Sequence, residues 1–207
     1  MLFWGTAFRA SVIAAEHAPP VMITGVRAGV AAAVLVLVAV ALRSRLPPRE
    51  FWLLTVVTGL LMVTLAGDFV LGVGLSIAGA MGWAVGVLLT KTAFIRKPDI
   101  DMVGLTMGHY VIGGGAALAL AFLLEGGATT EWSSTDFWGA IAWIAIGGSV
   151  IATLAYFGAL KRMSATTVMA WQFLVPVVAV LTRSSTATPR APSSSSAWES
   201  PSPASLL

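Results

Sequence analysis

The chain has 207 residues, 57% of them hydrophobic and only 10% charged, with a mean hydropathy of +0.90. A soluble domain carries roughly 25% charged residues to cover its core, and twelve basic plus nine acidic side chains are too few, so the chain reads as an integral membrane protein and its pI near 9.8 is not a nucleic-acid footprint. The absence of Cys excludes a disulfide scaffold, a Cys-ligated metal centre and a thiol nucleophile.

The segment before Pro19 opens at Met1-Leu2-Phe3-Trp4 and carries Arg9 and Glu16. It reads as a span or half of one, and lacks the basic start and small-residue cleavage site of a signal peptide. The apolar run over 28–42 is short unless extended back through Arg27 to Pro20, a favourable first-turn residue. Further runs follow at 51–67, 69–90, 102–124, 137–160 and 163–182. Roughly 20 residues cross a hydrocarbon core about 30 Å thick at 1.5 Å per residue, and the last four runs reach that length unaided. The expected fold is an all-α polytopic membrane protein of about seven spans. After Leu181 the composition turns to Ser and Pro, so residues 183–207 are predicted to be a disordered tail.

Lys and Arg accumulate on cytoplasmic loops. Arg43, Arg45 and Arg49 follow the second run, Lys91, Arg96 and Lys97 the fourth, and Lys161 and Arg162 the sixth. The alternate connections hold Glu16 and His17, then Asp68, then Glu125, Glu131 and Asp136, with no Lys or Arg. That alternation predicts a cytoplasmic N-terminus, a multi-pass chain in the cytoplasmic membrane, and a tail on the far side.

The chain also repeats itself. Trp4 followed by Pro19 recurs as Trp83 followed by Pro98 at the same offset, and Phe51-Trp52 recurs as Phe137-Trp138. Val63-Thr64-Leu65-Ala66 matches Ala152-Thr153-Leu154-Ala155, after which the copies diverge. Three spans separate the copies, and an odd number turns the second copy upside down relative to the first. The repeat is therefore of the inverted kind found in secondary transporters, with a substrate site near the midplane between the halves.

Phe3-Trp4-Gly5-Thr6-Ala7-Phe8, Pro19-Pro20, Arg27, Gly67-Asp68 leading to Trp83, and Phe173-Leu174-Val175-Pro176-Val177-Val178-Ala179 resemble the EamA family of the drug/metabolite transporter superfamily, from about residue 3 to residue 181. The resemblance implies an inverted-repeat fold normally of ten spans, an exporter or permease of small metabolites. Relative to that pattern the first span lacks its beginning, two spans are missing at Ala66-Gly67, and the tenth is replaced by the tail, which resembles out-of-frame translation. The expected organisation is a partial first repeat over 1–66 with three spans, a partial second over 67–182 with four, and the tail.

No zinc-binding His pattern, nucleophile elbow or P-loop is present, so no enzyme activity, metal or cofactor is expected. Ionisable groups inside a membrane are costly and kept mainly where they face a cavity or partner. Arg27, about 10 Å beyond Pro20 along a helix, suits an anionic group on a substrate or snorkels to the headgroups. His109 with Tyr110 suits proton coupling, substrate hydrogen bonding, or a helix-to-helix bond. Trp171 and Gln172 precede Pro176, which frees a backbone carbonyl; an aromatic wall with an amide fits a small organic substrate, and ordinary packing explains it as well. Gly25/Gly29, Gly82/Gly86 and Gly104/Gly108 have the spacing for close helix approach. The leading reading is a secondary transporter with Arg27, His109, Tyr110, Trp171 and Gln172 as substrate contacts. Its partners are a small molecule and the lipid bilayer, with no nucleic acid; a homo-oligomer would restore missing walls. The competing reading is a structural membrane fragment unable to transport.

Overall fold

The computed structural model describes residues 2–61 and 72–184, and every regular element in them is helical. The Ala66-Gly67 junction, Asp68, residues 63–66 of the repeat match and the Ser/Pro tail lie outside the described residues. Seven helical segments follow in order: α1 (Leu2–Ala15), α2 (Pro20–Ala41), α3 (Trp52–Gly59), α4 (Gly72–Arg96), α5 (Met102–Glu125), α6 (Thr135–Arg162) and α7 (Ala165–Leu181). Of these, α2, α5 and α6 are long and apolar enough to cross a membrane, and α1 and α7 are shorter apolar helices. This is an all-α membrane protein.

Local chemistry sets the helix ends. Pro20 opens α2, and the Glu125 carboxylate accepts the Met22 N–H at 2.7 Å, placing negative charge at the positive end of that helix. At its other end Ser44 N–H reaches Ala39 O at 2.8 Å and Arg43 N–H reaches Val40 O at 3.1 Å, which forces Arg43 into the left-handed region at φ 51°. Asp101 starts α5 by accepting from Val103 N–H and Gly104 N–H, and also takes Arg45 N–H at 2.8 Å from the α2–α3 connection. Its burial would raise the carboxyl pKa, but the N–H groups of Arg45, Gly104 and Val103 and the Ser44 hydroxyl together hold it below the usual value. Ser134 and Ser164 cap α6 and α7 in the same way.

The largest helix contact is the antiparallel pair α2–α5. A methyl group on Gly25 would stand 2.6 Å from Ala121 Cβ, and one on Gly114 would stand 2.8 Å from Ala28 O, so the two backbones approach where glycine leaves room. The Gly104/Gly108 pair instead receives the turn at Arg45 and the Thr55 methyl.

The two ends of the bundle differ in charge. At the basic end, the Lys97 ammonium pairs with Glu50 at 3.2 Å, Lys161 donates to Ile100 O at 3.0 Å, and Lys91 donates to Leu160 O and Met163 O at 2.8 and 2.7 Å. At the acidic end, Glu125 meets Met22, and His17 Nδ1 lies 2.7 Å from Glu131 Oε2.

Candidate functional site

Three aromatic rings from three helices meet inside the bundle. Trp4 of α1 lies 5.7 Å from Trp83 of α4, edge to face, and Tyr156 of α6 lies 5.4 Å from Trp4 and 5.6 Å from Trp83. The chain of rings continues through Phe157, 6.1 Å from Tyr156, to His109 of α5, which stands edge to face on Phe157 at 5.7 Å. Counted along their helices, Thr58, His109 and Tyr156 sit roughly 9–12 Å in from the basic end, and Trp83 joins them through its contact with Tyr156. They form one layer that crosses the bundle from α1 and α4 to α5 and α3.

Widened helical turns hold this layer together. In α5 the stretch Tyr110–Gly114 and in α6 the stretch Trp143–Ile151 are π-helical, a geometry common at functional sites. Carbonyls of the second stretch take side-chain donors: the Trp4 indole N–H donates to Gly148 O at 2.7 Å, and the Tyr110 hydroxyl lies 3.3 Å from Ser149 O and 3.1 Å from Thr153 Oγ1. Tyr110 thus joins α5 to α6 while Trp4 joins α1 to α6.

His109 is fully buried and its Nε2 lies 2.6 Å from Thr58 Oγ1, which also lies 2.7 Å from Leu54 O. A hydroxyl has one hydrogen to give, so both contacts are satisfied when Thr58 donates to the carbonyl and accepts from an Nε2–H. That tautomer leaves Nδ1 as a buried acceptor, and Nδ1 has no hydrogen-bond partner. Gly59 lies against the His109 backbone, where an added methyl would meet His109 O at 2.9 Å.

The remaining residues singled out in the sequence stand apart from the layer. Arg27 is half-buried on α2 between buried Val26 and Ala28. Gln172 is half-buried, and Trp171 is 55% exposed and stacks on none of the layer's rings. Both mark a break in α7: helix runs over Ala165–Trp171 and again over Leu174–Ser184. A proline ring excludes the carbonyl four residues before it, here that of Gln172, which accepts Val175 N–H at 3.0 Å instead. Pro176 therefore falls in the first turn of the second piece, and the carbonyl it frees is already occupied. Among the described residues no group of three or more His, Cys, Asp or Glu is placed to hold a metal ion.

The sequence points to His109 and Tyr110 but presents Trp4 and Trp83 only as markers of the repeat and of the family resemblance, and it does not single out Thr58, Tyr156 or Phe157 as site residues. The signal that could have found the rings is the Trp4/Trp83 match in the sequence, since those two rings meet in the structure. A family model described as EamA-like transporter family matches residues 70–184, which spans α4 to α7. No curated protein and no solved structure matches the chain.

Proposed function

The chain belongs to the EamA-like transporter family, whose members are membrane transporters of the drug/metabolite superfamily rather than enzymes. From that membership we propose that it is a secondary transporter, an exporter or permease, moving small metabolites across the cytoplasmic membrane, with its N-terminus and basic end in the cytoplasm. The substrate crosses at the aromatic layer, between a first half built from α1–α3 and a second from α4–α7.

The observation that carries this reading is the contact of Trp4 with Trp83. Residues in the same place in two symmetric copies touch each other only beside the symmetry axis, as at a two-fold interface. A repeat interface at that depth is where inverted-repeat transporters hold substrate. The layer offers flat aromatic faces from Trp4, Trp83 and Tyr156 and the lone pair of His109 Nδ1, which together suit a small organic molecule carrying an N–H or O–H donor. Tyr110 fixes the wall behind His109. Arg27, nearer the acidic end, meets an anionic group on the same substrate during passage. Trp171 and Gln172 stand at the depth of the layer on the outer face of α7, and contact substrate once a further helix or a second copy covers that face. The layer needs no cofactor for this work.

Purified protein reconstituted into vesicles loaded with a defined mixture of labelled small metabolites tests the reading. Saturable release of one solute class, absent from protein-free vesicles, is the expected result. Retention of every solute by vesicles carrying folded protein would favour a structural fragment instead.

A further inference from the structure

At the acidic end, the turn between α1 and α2 and the connection between α5 and α6 are tied at two points. The His17 ring nitrogen Nδ1 lies 2.7 Å from Glu131 Oε2, and the Glu131 N–H donates to His17 O at 2.9 Å. A cavity of about 410 Å³ opens beside this tie, lined by Ala15 through Pro20 on one side and by Ala128, Thr129 and Glu131 on the other. We infer that His17 and Glu131 form a pH-sensitive latch that holds the acidic-end mouth of the transporter shut. This rests on the transporter reading, in which the turn belongs to one half and the connection to the other, so opening the mouth pulls them apart.

The chemistry comes from the geometry. Because Nδ1 faces a carboxylate oxygen, it carries a hydrogen whether the ring is neutral or charged. Taking up a second proton at Nε2 turns this hydrogen bond to the carboxylate into an ion pair, adding the attraction of opposite charges. Histidine is the side chain whose charge changes between pH 5 and 8, and His17 keeps 19% of its side-chain surface exposed, so protons reach it without the mouth opening. The charged groups around the latch are Glu16, its neighbour in sequence, Glu125 and Glu131 on the facing connection, and Asp136 in the first turn of α6, and no Lys or Arg occurs between 125 and 136. The basic groups on the two helices that enter the turn are Arg9 and Arg27, well down α1 and α2. External acid therefore tightens the latch and external alkali loosens it.

The chain has no Cys, so one introduced thiol is a clean reporter. Ala14 is fully buried one turn below His17, and Ala14→Cys is reachable by an impermeant maleimide only when the mouth opens. Labelling is measured in vesicles from the acidic-end side at about pH 8 and about pH 5.5, each rate divided by that of Ala14→Cys carrying His17→Gln, which cancels the thiol's own pH dependence. The ratio is expected to fall about fivefold on acidification, the worth of an exposed ion pair near its upper range. Glu131→Gln is expected to abolish the fall. A ratio that stays constant with pH, or a fall that survives Glu131→Gln, overturns the latch. A constant ratio beside intact metabolite flux sinks the latch alone, whereas a pH-dependent ratio without any flux leaves the latch and sinks the transporter reading.

Discussion

Replacing Gly25 by Ala puts a methyl group where α2 and α5 come closest. That carbon would stand 2.6 Å from Ala121 Cβ, 2.9 Å from Ala117 O and 3.0 Å from Leu118 Cα. Ordinary carbon contacts lie at about 3.5–4.0 Å, so the helices must part by about 1 Å along their most extensive contact. Overpacking of this kind costs about 1–3 kcal/mol, against a helix-propensity gain of up to about 1 kcal/mol for Gly to Ala. Gly115 on α5 supplies the matched control, because a methyl there meets nothing within 4 Å. Gly115→Ala should therefore stabilise by the propensity gain alone. The difference between the variants isolates the overpacking, about 1–3 kcal/mol in favour of Gly115→Ala. Titrating mixed micelles with SDS and following helicity by circular dichroism measures it. Equal stability of the two variants, or a more stable Gly25→Ala, would refute the close α2–α5 packing.

Arg43→Gly relieves the left-handed backbone at the end of α2 and should stabilise by about 0.5–1 kcal/mol in the same titration; insertion should not change, because Arg45 and Arg49 still mark the loop. Glu125→Ala removes the acceptor for Met22 N–H and should cost about 1 kcal/mol, with Glu125→Gln recovering part of it. Asp101 has its folded pKa held below the ordinary value of 3.8, so its contribution is present above about pH 4 and is lost as pH falls through the lower folded value. The stability gap between the native chain and Asp101→Asn should then close on acidification, and a gap unchanged down to about pH 2 would contradict the capping role.

Much of the fold is legible as runs of apolar residues between charges, since length and hydropathy govern membrane insertion. Pro20 gives the start of α2 from residue type alone, whereas Asp101, Ser134 and Ser164 show their capping roles only in the structure. The widened turns at Tyr110–Gly114 and Trp143–Ile151 leave no such trace, because in an apolar span the same residues satisfy either hydrogen-bond register. Thr58 is invisible for a related reason: one hydroxyl in an apolar run acquires meaning only when His109 packs beside it. Trp171 illustrates the converse. Its place before Pro176 suggests a cavity wall, and the ring lies 55% exposed beside the break in α7, so what it faces is not written in the sequence. His109 and Tyr110 are legible because an imidazole beside a phenol in a membrane span needs partners, although sequence cannot name Thr58, Ser149 and Thr153 as those partners.

The most direct test of the shared aromatic layer is metabolite flux through vesicles carrying Trp4→Ala or Trp83→Ala. The two rings come from α1 and α4 and touch each other and Tyr156. A lost aromatic contact worth up to about 1.5 kcal/mol corresponds to roughly tenfold in rate. Both variants should remain folded and inserted, and both should lose about tenfold of the saturable flux. Full flux in either inserted variant would contradict a substrate path through this layer.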